Sequence, residues 1–222
     1  MSPLAEGLAL IFDMDGVIVD SNPVHRDSWI AFNRRYGLET TPAMLERMYG
    51  KRNDEILRDY FGDSLPPEEI VSRSLAKEAL YRQMAAAQIE QMLVPGLRPF
   101  LEKYRDTLKA IGSNAEPENI TLVLDQTGLR QYFRAIVDGH QVVNPKPFPD
   151  VYLRAAELLH VAPVNCLVIE DSPSGVAAAR AAGMRVIGLR TTYVNLQHTD
   201  VNADNFESRD LGNWLGEQRR VA

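Results

Sequence analysis

An apolar run that ends in two aspartates constrains this chain more than any other stretch. Residues 8–12 read Leu-Ala-Leu-Ile-Phe, and Asp13, Asp15 and Gly16 follow directly. A continuous apolar run predicts a strand buried on both faces of a parallel sheet, and such sheets bind ligands at the carboxyl ends of their strands. Neighbouring carboxylates raise each other's pKa unless they share a cation, and oxygen ligands suit Mg²⁺. The stretch therefore predicts a magnesium-assisted carboxylate site, although an ordinary Asp-Gly turn is the competing interpretation.

Length and charge narrow the class of protein. The 222 residues suit one domain with an insertion, or two unequal domains. A net charge of −6 argues against a broad surface for nucleic acid or acidic membranes. Cys166 is the single cysteine, so no intramolecular disulfide can form. With no apolar run near membrane-spanning length and no leader-like start, we expect a cytoplasmic protein without nucleic-acid or membrane partners. The sequence does not indicate the oligomeric state.

Residues 21–93 form a block of helical character. Helices are predicted over 24–36, 42–49, 54–61 and 67–92, with breaks at Gly37, at Gly50 and over 62–67. No β-type apolar run interrupts this block. We therefore predict two domains, a core of residues 1–20 and 94–222 and an inserted all-helical domain of residues 21–93.

The α/β pattern returns after the helical block. Short apolar runs predict strands over 107–111, 135–137, 166–169 and 186–189, and helices separate them. Strands that alternate with helices predict an α/β fold with a parallel sheet and right-handed crossovers. Beyond Thr191 the polar tail indicates only a short helix over 210–217.

Polar side chains follow the first four predicted strands where each strand ends. In chain order they are Asp13, Asp15, Ser113, Asn114, Lys146, Glu170 and Asp171. Carboxyl ends of parallel strands share one edge, so these groups are expected to meet there. One carboxylate can attack phosphorus, a second can protonate the leaving oxygen, and an ammonium, a metal and hydrogen-bond donors can surround the transferring group. Singly, Ser113, Lys146 and Glu170 read more simply as caps or a loop charge, but together they indicate phosphoryl transfer.

The motifs resemble those of the haloacid dehalogenase superfamily of phosphotransferases and phosphatases. They occur in order as Asp13-x-Asp15-Gly16-Val17, Ser113, Lys146-Pro147 and Glu170-Asp171-Ser172-x-x-Gly175. The resemblance implies a Rossmann-like core, with Asp13 as nucleophile and Asp15 as general acid and base. It also implies a Mg²⁺ site formed by Asp13, the Asp15 backbone carbonyl and Asp171, with Glu170 next to the metal. Ser113, Asn114 and Lys146 are then expected to bind the phosphate.

The helical insertion is similar to the small cap of the subfamily that contains β-phosphoglucomutase and many sugar-phosphate phosphatases. Such a cap closes over the substrate and excludes water. His25 and Lys77 match or lie near the subfamily's cap histidine and lysine. Asn53 stands where its phosphate-binding arginine is expected, with Arg52 one residue early. On this resemblance His25, Arg52 and Lys77 are predicted to contact the substrate.

Three functions remain open at this point. The first is a Mg²⁺-dependent phosphatase of a small phosphorylated metabolite, such as a sugar phosphate. The second is a β-phosphoglucomutase-like mutase that returns the phosphoryl group to another hydroxyl. The third is a receiver-type signalling domain that is phosphorylated on aspartate but does not turn over. The length, the helical insertion and the Asp-x-Asp-Gly motif on the first strand count against the third.

Overall fold

Two compact units make up the chain. The computed structural model describes residues 4, 6–49 and 51–218. Contacts group Met1–Asp20 with Glu90–Ala222 as the first unit, and Ser21–Ile89 as the second. The first contains the sheet, and the second, called the helical unit below, is built from helices. Whether the helical unit acts as a cap stays a prediction.

The first unit is built on a six-stranded parallel sheet in the order β3-β2-β1-β4-β5-β6. Its strands are β1 (Ala9–Phe12), β2 (Leu108–Gly112), β3 (Ala135–Val137), β4 (Cys166–Glu170), β5 (Arg185–Leu189) and β6 (Val201–Ala203). The predicted α/β class with a parallel sheet is confirmed. The chain places β2 and β3 on one side of β1, and β4 to β6 on the other.

The central strand β1 is buried on both faces, as its apolar composition predicts. Ala9 and Ile11 join an apolar cluster with residues of α7 (Asp150–Leu159) and α8 (Pro173–Ala181). The ring of Phe12 lies against three aromatic rings, those of Phe100, Phe133 and Phe206. Alternate side chains of one strand therefore hold two layers of the core together.

The remaining helices of the described chain fall into two sets. The helical unit contains α1 (Asn22–Arg35), α2 (Pro42–Met48), α3 (Asn53–Phe61) and α4 (Pro67–Ala86). The first unit adds α5 (Leu97–Lys103), α6 (Pro117–Thr127) and α9 (Arg209–Glu217). In the helical unit Trp29, Phe32, Leu57 and Leu80 belong to a separate apolar core. No helix among the described residues is long and apolar enough to cross a bilayer.

Two elements differ from the sequence predictions. The long helix predicted over 67–92 ends at Ala86, and a 3₁₀ turn at Ile89–Met92 follows it. The sequence from Met84 to Met92 contains neither Gly nor Pro, so no local signal marked this end. The strand β6 was not predicted, because its Val-Asn-Ala segment is short and lies in a polar tail. Gly50, a predicted break, lies outside the described residues.

Candidate active site

The site lies at the carboxyl edge of the sheet, where the strand order changes direction. β1 pairs with β2 on one side and with β4 on the other. Asp13 directly follows β1, Ser113 follows β2, and Asp171 follows β4. Crevices at such a reversal are the usual ligand sites of open parallel sheets. The topology thus brings together residues that are far apart in sequence.

A buried lysine links two of the carboxylates. Lys146 Nζ lies 2.9 Å from Asp13 Oδ1 and 2.7 Å from Glu170 Oε1. Burial raises the pKa of Asp13 to about 7, which Lys146 opposes and the carboxylates of Glu170 and Asp15 reinforce. Burial alone would lower the pKa of Lys146, but Asp13 and Glu170 hold it above its usual value. The ammonium therefore stays charged between two carboxylates.

Both oxygens of Glu170 receive hydrogen bonds. Oε1 accepts from Lys146 Nζ and from the Tyr152 hydroxyl at 2.6 Å. Oε2 accepts from the backbone N–H of Asp171 at 2.9 Å, and from the backbone N–H and hydroxyl of Ser172 at 3.0 and 2.9 Å. Burial would raise the pKa of Glu170, but Lys146 and these donors lower it below its usual value. Glu170 is thus an ionised carboxylate that is saturated with donors.

Asp171 receives fewer hydrogen bonds from the described residues than Glu170 does. The hydroxyl of Thr192 donates to Asp171 Oδ2, and that of Thr191 donates to the Gly16 carbonyl at 2.5 Å. Burial, followed by the charges of Glu170 and Asp13, raises the pKa of Asp171 well above its usual value. Gly16 has φ +76, and a Cβ there would lie 1.8 Å from Asp171 Oδ2. Only glycine leaves room for this carboxylate.

The donor set fits a divalent metal ion. Carboxylate oxygens of Asp13, Glu170 and Asp171 lie within 4.8 Å of one another. Asp13 Oδ1 is buried, and the Lys146 ammonium contacts it as an ion pair at 2.9 Å without the angles of a hydrogen bond. Burial and mutual repulsion hold two of these carboxyl groups at raised pKa values, a cost that a bound cation removes. Such an oxygen cluster suits a hard cation.

The other predicted core residues lie around this cluster. Asp15 is half-buried two residues beyond Asp13, close enough to raise its pKa. Ser113 is buried, and its Oγ accepts from the Ala115 N–H at 3.2 Å. Asn114 Oδ1 accepts from the backbone N–H of Lys146 at 3.2 Å, so it holds the lysine segment. Phosphate binding by Ser113, Asn114 and Lys146 stays a prediction.

Comparison with known proteins agrees with this geometry. A family model described as haloacid dehalogenase-like hydrolase matches residues 8–183. The chain belongs to this family. It is 33% identical, over 189 residues, to the fructose-1-phosphate phosphatase YqaB of Escherichia coli, covering 82% of this chain and 95% of that protein. It is also 30% identical to the β-phosphoglucomutase of Bacillus subtilis, over 82% of each chain.

A solved structure extends the comparison to nearly the full length of the chain. The β-phosphoglucomutase of Clostridium difficile superposes with a TM-score of 0.83 at 26% identity, covering 96% of this chain and 99% of that one. The resemblance to the haloacid dehalogenase superfamily is therefore confirmed, and this chain is an enzyme. Membership of a hydrolase family also counts against a receiver-type signalling domain.

The helical unit of this haloacid dehalogenase-like chain contains a second polar cluster. Lys77 is buried, and its Nζ lies 2.8 Å from His25 Nδ1 and 2.8 Å from Glu78 Oε1. Asn53 donates to the same Glu78 oxygen at 2.7 Å. The exposed Arg52 has an ion-pair contact of 3.7 Å with Asp54. The structure therefore brings His25 and Lys77 together, and their contact with substrate stays a prediction.

Sequence reasoning missed three polar residues of these clusters. Tyr152 and Thr192 bond to site carboxylates, and Glu78 neutralises Lys77. Thr192 follows the fifth strand, so the rule that pointed to the first four strand ends applies to it equally. Tyr152 interrupts the apolar face of α7, and a buried tyrosine hydroxyl usually has a hydrogen-bond partner. For Glu78 the sequence carries no signal, because a helical Lys-Glu pair is usually solvated.

A substitution at Gly175 should disturb the site directly. A Cβ there would lie 1.7 Å from Glu170 Oε1, the oxygen that Lys146 also contacts. We expect Gly175→Ala to lower kcat about tenfold or more, and the free energy of unfolding by about 1–3 kcal/mol, because Glu170 must move. Turnover of a phosphorylated substrate and urea unfolding measure both effects. Gly212→Ala is the matched control, since its Cβ would meet no atom within 4 Å. Equal behaviour of the two variants would contradict this view of Glu170.

Proposed function

We propose that this chain is a Mg²⁺-dependent phosphatase of small phosphorylated metabolites, sugar phosphates above all, which works through an aspartyl phosphate on Asp13. The observation that carries the proposal is the buried cluster in which Lys146 bridges Asp13 and Glu170 beside Asp171. A cytoplasmic location and a small-molecule partner are part of the same proposal. The comparisons support a phosphatase or phosphomutase of this family.

In the first step, the Asp13 carboxylate attacks phosphorus. The bond from phosphorus to the ester oxygen breaks, and Asp15 gives its proton to the departing alkoxide. Three groups are proposed to bind the phosphoryl oxygens: the Lys146 ammonium, the Ser113 hydroxyl and the Asn114 amide. Binding is needed because the negative charge on these oxygens must be balanced as the bonds change. The alcohol leaves, and Asp13 carries the phosphoryl group.

In the second step, water attacks the phosphorus of the aspartyl phosphate. Asp15, now ionised, takes the proton from this water, and inorganic phosphate leaves as the Asp13 carboxylate re-forms. Asp15 therefore ends the cycle in its starting protonation state. Its half-buried position next to the buried Asp13 supports this division of roles between two chemically similar residues.

Asp13, Asp171 and the Asp15 backbone carbonyl would hold Mg²⁺, with Glu170 next to it. When bound, the ion would neutralise negative charge on the carboxylates and the phosphoryl group. Burial and neighbouring carboxylates raise the pKa of Asp13 and of Asp171, although both groups must be ionised to act. A bound cation would favour the ionised forms, and this supports the assignment. Lys146 alone cannot balance the charges of Asp13, Glu170 and Asp171.

A phosphosugar mutase is the second candidate, because two relatives are β-phosphoglucomutases. A mutase that passes through a bisphosphate needs cationic side chains for a second phosphate. In the helical unit the buried Lys77 forms an ion pair with Glu78, and the neutral Asn53 occupies the position predicted for a phosphate-binding arginine. This pairing reduces the positive charge that the unit can offer a second phosphate, and it favours the phosphatase.

Metal removal tests the proposal. We expect the wild-type chain to release phosphate from p-nitrophenyl phosphate and from sugar phosphates, to lose this activity in excess EDTA, and to regain it with Mg²⁺. Because a ligand that binds only the folded state stabilises it, Mg²⁺ should also raise the melting temperature. Asp171→Asn should abolish most of that rise. Unchanged turnover in EDTA would reject the metal, and a chain inert toward every phosphomonoester would reject the function.

A coupled assay separates the two candidates. With β-glucose 1-phosphate as substrate, a phosphatase releases free phosphate, whereas a mutase forms glucose 6-phosphate. We expect phosphate release without appreciable glucose 6-phosphate. Formation of glucose 6-phosphate as the main product would reject the phosphatase in favour of the mutase. A screen of fructose 1-phosphate and other sugar phosphates then ranks the substrates by kcat/KM.

A further inference from the structure

Tyr152 is a fully buried tyrosine whose hydroxyl is directed at the active site. It lies in the first turn of α7, and its hydroxyl donates to Glu170 Oε1 at 2.6 Å. Burial, together with the charge of Glu170, holds the pKa of Tyr152 well above its usual value, so the hydroxyl remains a donor. If this buried position required only an aromatic ring, phenylalanine would serve, because it carries no polar group that needs a partner.

The position of the tyrosine ring is tightly restricted. A Cβ on Gly112 would lie 3.1 Å from Tyr152 Cδ1 and 3.5 Å from Ile11 Cγ2, so the ring packs against the backbone of β2. The same ring faces Lys146, whose Nζ lies 4.8 Å from its centroid. Tyr152 therefore contacts both the ammonium group and the carboxylate that shares it, from a rigid support.

Lys146 is shared between two competing carboxylates. Its Nζ lies 2.7 Å from Glu170 Oε1 and 2.9 Å from Asp13 Oδ1. Oε1 has two donors among the described residues, Lys146 and Tyr152. The hydroxyl bond satisfies part of the negative charge on Oε1 and fixes its position. Without it, the ammonium would be the sole described donor to that oxygen and would be drawn toward Glu170, away from Asp13.

We propose that Tyr152 is a positioning residue that acts through Glu170 on Lys146. Its hydroxyl holds Glu170 Oε1 at a fixed place, and the lysine is thereby kept against the nucleophile Asp13. The residue does not touch the reacting atoms. This inference rests on the proposed function, because Lys146 is assigned there to the phosphoryl group. It also gives Glu170 a role as the anchor of Lys146 that needs no direct bond to a metal.

The test is Tyr152→Phe, which removes the hydroxyl and keeps the ring. With p-nitrophenyl phosphate and saturating Mg²⁺, we expect kcat to fall about tenfold, in line with a lost hydrogen bond to a charged group, and KM to stay within about twofold. Calorimetric titration of Mg²⁺ into the phosphate-free chain should give a dissociation constant within about threefold of wild type, since the effect runs through Lys146.

The matched control is Tyr132→Phe. That hydroxyl donates to an exposed carboxylate, Glu102, at 2.9 Å, so the control makes the same chemical change outside the site. A second comparison places Tyr152→Phe in a Lys146→Met background. If Tyr152 acts through Lys146, its loss should cost no further kcat there, whereas an independent structural effect would add to the first.

Each outcome decides the question. Equal kcat for Tyr152→Phe and Tyr132→Phe, or an additive loss in the Lys146→Met background, overturns the inference. Loss of cooperative unfolding in Tyr152→Phe also overturns it, because the hydroxyl would then serve the core. An active wild type with an unaffected Tyr152→Phe leaves the proposed function intact. A wild type inert toward phosphomonoesters overturns the function itself, and the inference that rests on it falls with it.

Discussion

Replacing Asp13 by asparagine is expected to abolish turnover, with kcat lower by at least about a thousandfold. The amide is almost the same size as the carboxylate, but it cannot attack phosphorus. Asp13 is the one carboxylate directly after the central strand that also contacts Lys146. The protein should still fold, because the change removes a carboxyl group whose charged form is costly to bury. Burial raises the pKa of this group to about 7. Phosphate release and a thermal melt check the two statements.

A distant aspartate serves as the control for Asp13. Asp125 is exposed, and it pairs with Arg130 at 3.0 Å on the surface of the first unit. Asp125→Asn should keep wild-type kcat, since exposed ion pairs contribute little. The aspartyl phosphate makes a second check available. Labelled phosphate trapped on the wild-type chain by rapid acid quenching should be missing from Asp13→Asn. Wild-type turnover in Asp13→Asn would rule out the proposed nucleophile.

The second large effect is expected for Lys146→Met. This change leaves Asp13 and Glu170 as buried carboxylates without their shared ammonium. We expect the free energy of unfolding to fall by about 3–5 kcal/mol in the absence of metal, as when one partner of a buried ion pair is removed. The kcat should fall about a hundredfold or more, because the phosphoryl oxygens lose a positive group. Urea unfolding and phosphate release measure these changes.

Magnesium provides an internal check on Lys146→Met. Part of the lost stability should return when Mg²⁺ is added, since the ion neutralises the same carboxylates. Lys103→Met is the control, because Lys103 is an exposed lysine of α5. If Lys146→Met keeps the wild-type stability, as its control is expected to do, the bridging role of Lys146 is contradicted. A loss of stability with wild-type kcat would limit Lys146 to a structural role.

Most of the fold could be predicted because its signals are local. The apolar runs of β1 and β4, and the alternation of strands with helices, determine a parallel α/β sheet. The end of α4 and the strand β6 were not predicted, because neither has a local signal in the sequence. Neither is marked by a turn residue or a strong apolar run, so packing against the rest of the chain decides them.

The site was only partly predictable. Asp13, Glu170 and Asp171 could be grouped because parallel strand ends share one edge. Their different states could not be read from sequence. Glu170 is saturated by donors, whereas Asp13 Oδ1 and Asp171 retain capacity for a cation. Which donor reaches which oxygen depends on distances of a few tenths of an ångström, and these follow from the packed core.

The sequence by itself determined the parallel α/β core, the helical insertion, and the set of residues at the strand ends. The reason is that apolar runs, turn residues and the order of the motifs can all be read directly along the chain. Only the tertiary structure decided how Lys146 is shared, that Tyr152 and Thr192 bond to the site, and that Glu78 neutralises Lys77. These contacts join residues whose separation in space is set by packing, and a buried charge or hydroxyl takes its properties from its neighbours.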